Sequence, residues 1–115
     1  MSSSRTALTD GSNRWFDEEK SISFTEDTEW DGSNMISKAT GSQWDHESLY
    51  YTKGGSWVLY RYSQWQGSMA SYTAIDEEDA VQWLIAQSCM DSAEINYLPM
   101  SVQERIDSSV EAAEL

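Results

Sequence analysis

From Ser56 to Trp65 the chain alternates between two sets of side chains. Trp57, Leu59, Arg61, Ser63 and Trp65 point one way, and Val58, Tyr60, Tyr62 and Gln64 point the other. Such alternation in a segment rich in aromatic and β-branched residues predicts a long strand. A leucine- and tyrosine-rich strand over Ser48–Thr52 precedes it, with Lys53-Gly54-Gly55 as the turn. A third strand follows over Ser71–Ile75, after a turn at Gln66-Gly67-Ser68. The three form an antiparallel meander. Both faces of the middle strand carry apolar bulk. One face therefore calls for a helical cover, and the other for packing by the N-terminal segment or for use as an aromatic surface.

Beyond the meander the period changes from strand to helix. Asp76 stands as an N-cap before the acidic turn Glu77-Glu78-Asp79, and Ala80, Val81, Trp83, Leu84 and Ile85 follow at helical spacing. This helix is expected to end between Gln87 and Met90. After Pro99, Ser101-Val102-Gln103-Glu104 reads as a capping box opening a second helix that runs to about Ala113. On that helix Val102, Ile106, Val110 and Ala113 share one face. Glu104, Asp107, Glu111 and Glu114 form a separate stripe offset by about 130°. The plain account is a thin apolar seam with a solvated acidic back. The sharper one is a ladder of carboxylates offered to a basic groove.

Upstream the signals are weaker. Residues 1–13 read as a loose lead-in rich in Ser, Thr, Gly and Asn. Arg14-Trp15-Phe16 is the first apolar nucleus. Asp17-Glu18-Glu19 suits a short helix start, whereas Ser21–Thr25 alternates like a strand, and the choice stays open. Trp30-Asp31-Gly32-Ser33-Asn34 is a turn, and Met35-Ile36-Ser37 a further short strand. The expected organisation is a lead-in (1–13), a core (14–90) and an acidic C-terminal helix packed on it (91–115). Its class is α+β: a three- or four-stranded antiparallel meander followed by two helices.

Charge changes the picture more than composition does. Twenty acidic residues face seven basic ones, for a net charge of −13. That field repels nucleic acid and anionic membranes and attracts basic surfaces, so direct nucleic-acid binding is excluded as an expectation. Six Trp and six Tyr offset a modest 39% apolar content and argue for a folded core. No apolar run is long enough for a signal peptide or a membrane span, and Cys89 is the lone cysteine. A cytoplasmic setting is expected.

The chemistry-bearing motifs are mostly missing. His46, between Asp45 and Glu47, is the single histidine, too few ligands for a transition-metal site. Cys89 reads as a packing residue rather than a nucleophile for His46. No phosphate-binding glycine loop is present, so no cofactor and no metal are expected. Asp27, Glu29 and Asp31 alternate like a calcium loop, but the required Gly and terminal Glu are out of place. An enzyme is therefore the last choice.

The stretch Gly41-Ser42-Gln43-Trp44-Asp45-His46-Glu47-Ser48-Leu49-Tyr50, with Trp57-Val58-Leu59 and Ser63-Gln64-Trp65-Gln66-Gly67-Ser68, resembles a group of short bacterial proteins carried on prophages and other mobile elements. The resemblance spans residues 9–87 and implies a bacterial or phage setting. No activity is assigned to that group, so no functional residue carries over, and Tyr60 stands where the group has a basic or polar residue. Two functional expectations follow. In the first, Asp17, Glu18, Glu19, Glu26, Asp27, Glu29, Glu104, Asp107, Glu111 and Glu114 imitate nucleic-acid charge and occlude a basic groove on a nucleic-acid-binding protein complex, as anti-CRISPR and anti-restriction proteins do. In the second, Trp57, Tyr60, Tyr62 and Trp65 form an aromatic face of an adaptor or antitoxin. Oligomeric state is not fixed by the sequence.

Overall fold

A computed structural model describes residues 5–64, 69–87 and 93–112. Among these, strands β1 (Arg5–Ala7), β2 (Trp15–Asp17), β3 (Ile22–Thr25), β4 (Thr28–Trp30), β5 (Met35–Ser37), β6 (Asp45–Tyr51), β7 (Trp57–Ser63) and β8 (Ser71–Ile75) precede helices α1 (Glu77–Ala86) and α2 (Met100–Ala112). The main sheet is antiparallel with order β3-β6-β7-β8. The fold is α+β, the meander gaining β3 as a fourth strand.

The β6–β7 turn explains the register. Thr52 N–H donates to the Ser56 carbonyl at 2.8 Å, and Gly55 N–H to the Thr52 carbonyl at 2.9 Å. Gly55 adopts φ +85°, a left-handed conformation that a side chain would strain. From this turn the pairing zips outward as Tyr51↔Trp57, Leu49↔Leu59 and Glu47↔Arg61. The period of two then sorts every side chain to a face.

On one face Phe24, Leu49 and Trp57 meet Ala80, Val81 and Leu84 of α1 and Val102 and Ile106 of α2, closed by Leu98. The Asp76 cap is made: its carboxylate accepts from Asp79 N–H at 2.8 Å. The capping box is not. Helix α2 begins at Met100, with the Val102 and Gln103 amides donating to the Pro99 carbonyl, so Ser101 lies inside the helix. The seam holds over its first half, with Val102 and Ile106 buried and Val110 exposed. Ala113 lies outside the described residues.

The other face is covered by the chain's N-terminal part. Strands β1 and β2 pair antiparallel as a two-stranded ribbon, and Phe16 buries against Tyr50 and Tyr72 at centroid distances of 5.3 and 5.8 Å. Residues 5–10 therefore correct the expectation of a loose lead-in. Thr9 and Asp10 line the outer edge of β8. Thr9 N–H donates to the Tyr72 carbonyl, Thr9 Oγ1 accepts from Tyr72 N–H, and the Asp10 carboxylate accepts from Ala74 N–H. The open segment 17–40 resolves as a 3-10 turn (Glu18–Lys20), then β3, then the β4–β5 hairpin. At the hairpin tip, the Asp31 carboxylate accepts from the Ser33 and Asn34 amides. The Asn34 amide, then that of Ser33, holds Asp31 below the ordinary carboxylate range.

Hydrogen bonds from Ser12 and from the Ala74 amide hold the Asp10 carboxyl down at about 2. A depressed carboxyl contributes fully above its unfolded value and loses that contribution as pH falls through the folded one. The β8 edge should thus stay pinned well into acid, releasing only as pH approaches about 2. In hydrogen exchange, Asp10→Ala should speed the Ala74 amide by about threefold to tenfold while leaving core amides of β6 unchanged.

Candidate functional site

Glu47 lies on the helix-facing side of β6, its side chain one-tenth exposed. A carboxylate so placed needs partners. Arg61 Nε of β7 supplies one at 3.1 Å, and the Trp83 indole N–H of α1 another at 3.0 Å. Beside it, the Glu26 carboxylate accepts from Glu47 N–H and meets His46 Nδ1 at 2.7 Å. The other imidazole nitrogen, Nε2, is buried and has no hydrogen-bond partner. His46 also packs on Tyr62 at 5.3 Å. No hydroxyl or thiol among the described residues bonds Nε2. Among the described residues no cluster of three His, Cys, Asp or Glu is placed to hold a metal. Cys89 lies outside them.

The sheet face opposite the helices carries a run of phenols. Tyr60 stacks on Tyr62 at 5.0 Å and on Tyr72 at 4.5 Å. Tyr50 donates to Glu18 at 2.8 Å. Burial, then the Glu18 and Tyr60 charges, push the Tyr72 hydroxyl up to about 12. Tyr50 is raised by burial and by its bond to Glu18, and Tyr62 by burial and then by Glu26.

The predicted charge residues divide into two groups. Glu18 turns inward to Thr6 and Tyr50, and Glu26 to His46 and Glu47. Asp17 accepts from Glu19 N–H, while Asp27 caps Thr28 N–H and pairs with Lys38 at 3.3 Å. These four hold the fold and are corrected as free surface charge. Glu19, Glu29, Glu104, Asp107 and Glu111 are exposed. The last three share the outer face of α2, away from Val102 and Ile106. Glu114 lies outside the described residues. Arg105 of α2 meets Glu77 of α1 at 2.8 Å, bringing the acidic first turn of α1 beside α2.

The aromatic set also needs correction. Trp57 is 3% exposed in the helix-covered core, whereas Tyr60 and Tyr62 lie half-buried on the opposite face. Trp65 lies outside the described residues. The structure instead exposes Trp30 (64%) and Met35 (51%), which face each other across β4 and β5. Only the register of that hairpin reveals the pair. Similarly, nothing in the one-dimensional pattern placed Trp83 over Glu47.

No protein-family model, curated protein or solved structure matches this chain. Among the described residues no helix is long and apolar enough to cross a membrane.

Replacing Glu47 by Ala leaves the Trp83 indole without its acceptor and Arg61 without its carboxylate. It should cost about 1–3 kcal/mol in denaturant unfolding, with Glu47→Gln costing less. Phe16→Ala should cost about 3 kcal/mol and bring the late phenols towards their ordinary titration, read by absorbance at 295 nm. The sign follows from the raised values. The neutral phenol is favoured in the fold, so that contribution is complete below pH 10.0 and is lost as pH rises through about 12 for Tyr72.

Proposed function

We propose that this chain is a non-enzymatic, acidic protein-binding inhibitor. It occludes a basic, nucleic-acid-binding site on a partner protein complex in the cytoplasm, in the manner of anti-CRISPR and anti-restriction proteins, and needs no cofactor. The observation that carries this reading is the outer face of α2, where Glu104, Asp107 and Glu111 stand exposed and, among the described residues, without an ion pair. Their spacing of three and four residues gives rises of about 4.5 and 6 Å. One DNA strand presents a phosphate every ~3.4 Å of axis, so α2 alone is sparser than its target's natural ligand. Glu78 and Asp79, exposed in the α1 turn tied to α2 through Glu77–Arg105, add further acidic charge near α2. With a net charge of −13, association is steered and salt-sensitive.

A second reading rests on Trp30 and Met35. Large apolar side chains exposed together at a hairpin tip suit an anchor for a partner pocket, as in an adaptor or antitoxin. Charge matters little in that case.

The two readings part in a pull-down of tagged protein from bacterial lysate, washed through rising salt and followed by a DNA-binding assay of the captured complex. The inhibitor reading expects release between about 0.1 and 0.5 M salt, loss of DNA binding by the partner, and abolished capture by the triple variant Glu104→Gln, Asp107→Asn, Glu111→Gln. Capture that resists salt, survives the triple variant and is lost in Trp30→Ala overturns it in favour of the anchor.

A further inference from the structure

The chain has seven basic residues against twenty acidic ones, so a cation without a carboxylate is an unexpected outcome of its folding. Lys38, Arg61 and Arg105 are paired with Asp27, Glu47 and Glu77. Arg5 lies over the Trp15 ring, 4.8 Å from its centroid. The remaining three, Arg14, Lys20 and Lys53, make no ion pair among the described residues, and all three line one cavity. They come from separate places: the approach to β2, the 3-10 turn and the β6–β7 turn. The fold therefore gathers three cations that, among the described residues, have neither a carboxylate nor a ring as partner.

That cavity lies between the N-terminal ribbon and the sheet face away from the helices, and has a volume of about 570 Å³. This is within the range of small-molecule sites. Val58 and Ala74, neighbours across β7 and β8, form its sheet wall, and Trp15 and Phe16 contribute from the ribbon. The surroundings are mainly apolar and aromatic, with the three cations among them. Asp17 is the one carboxylate in the lining, and it is engaged with Glu19 N–H. Asp10, which feels the Arg14 charge, is held by the Ser12 and Ala74 amides. Local charge is thus positive inside a strongly negative molecule.

We propose that this cavity binds a small amphipathic anion: a planar, aromatic body carrying a single carboxylate, sulfonate or phosphate. The ring system packs between Phe16 and the Val58–Ala74 wall, and the anionic group is met by Arg14, Lys20 and Lys53. Charge complementarity selects this occupant over a neutral apolar one, because burying the ring leaves the cations at hand to meet a charge. It also selects against a cation, which the same three residues repel. The site is separate from the acidic helices, which lie on the other side of the sheet, so it stands whether or not the inhibitor reading does.

The test uses the full chain and a matched pair of probes, 8-anilinonaphthalene-1-sulfonate and its uncharged relative N-phenyl-1-naphthylamine. Each is titrated by fluorescence and mapped by amide chemical shifts. The sulfonate is expected to bind one to one, with shifts centred on residues 14–17, 52–58 and 74. Its affinity should fall about tenfold or more in the double variant Arg14→Glu, Lys53→Glu, while the neutral probe changes by less than about twofold. Ala74→Phe, which fills the cavity from the sheet side, should weaken both. The same near-ultraviolet circular dichroism in variants and parent shows that the fold is kept, and Lys20→Glu alone provides a milder charge change. Equal affinity for both probes, an unchanged sulfonate affinity in the charge variants, shifts scattered over other surfaces, or no saturable binding would each overturn the proposal.

Discussion

A carboxylate withdrawn from water beneath a helix sets strict terms for what surrounds it. Glu47 meets those terms with one partner from the adjacent strand and another from α1. A slip of β6 against β7 by one residue would turn Glu47 to the phenol face and away from both. A rotation of α1 about its axis would carry the Trp83 indole out of reach. Its amide is held as well, by Glu26 from the chain following β3. Three parts of the chain distant in sequence therefore agree on one position. Removing a partner costs more than the bond is worth, because the charge stays behind.

This arrangement separates the molecule electrically. The acids that shape the sheet, Glu18, Glu26, Glu47 and Asp27, are consumed by phenol, imidazole, indole, guanidinium or ammonium groups. The acids of α2 have no such duty and face outwards. Arg14, Lys20 and Lys53, which make no ion pair among the described residues, collect beyond the opposite face of the sheet. Layering is what keeps the two apart: helices on one side, the β1–β2 ribbon on the other, and a sheet between them whose two faces share no side chain.

Wherever local rules decide, the sequence was legible. The β6–β7–β8 meander follows from alternation and from Gly55, and α1 from its cap and the spacing of Ala80, Val81 and Leu84. Legibility failed where tertiary contact decides. Residues 5–10 have no pattern of their own, and their order comes from docking on Tyr72 and Ala74. Ser101 resembles a cap, but the Pro99 carbonyl is already in place and the helix starts earlier. Alternation along β7 sets Trp57 and Tyr60 on opposite faces, so the two cannot share one aromatic surface. The exposure of Glu104, Asp107 and Glu111 was readable, since a helix face needs no partner to define it. The cavity cations are invisible in one dimension because Arg14, Lys20 and Lys53 belong to unrelated segments.

The edge of β8 has a further consequence. A free strand edge invites an incoming peptide to extend the sheet through main-chain hydrogen bonds, a mode of recognition that depends little on the visitor's side chains. Here the outward amides of Tyr72 and Ala74 are already satisfied by Thr9 and Asp10. Strand addition along β8 is closed, and a partner arriving there must be recognised by shape and charge. Such recognition is rewritten one substitution at a time. A surface of this kind is free to track a changing target while the backbone beneath it stays as it is.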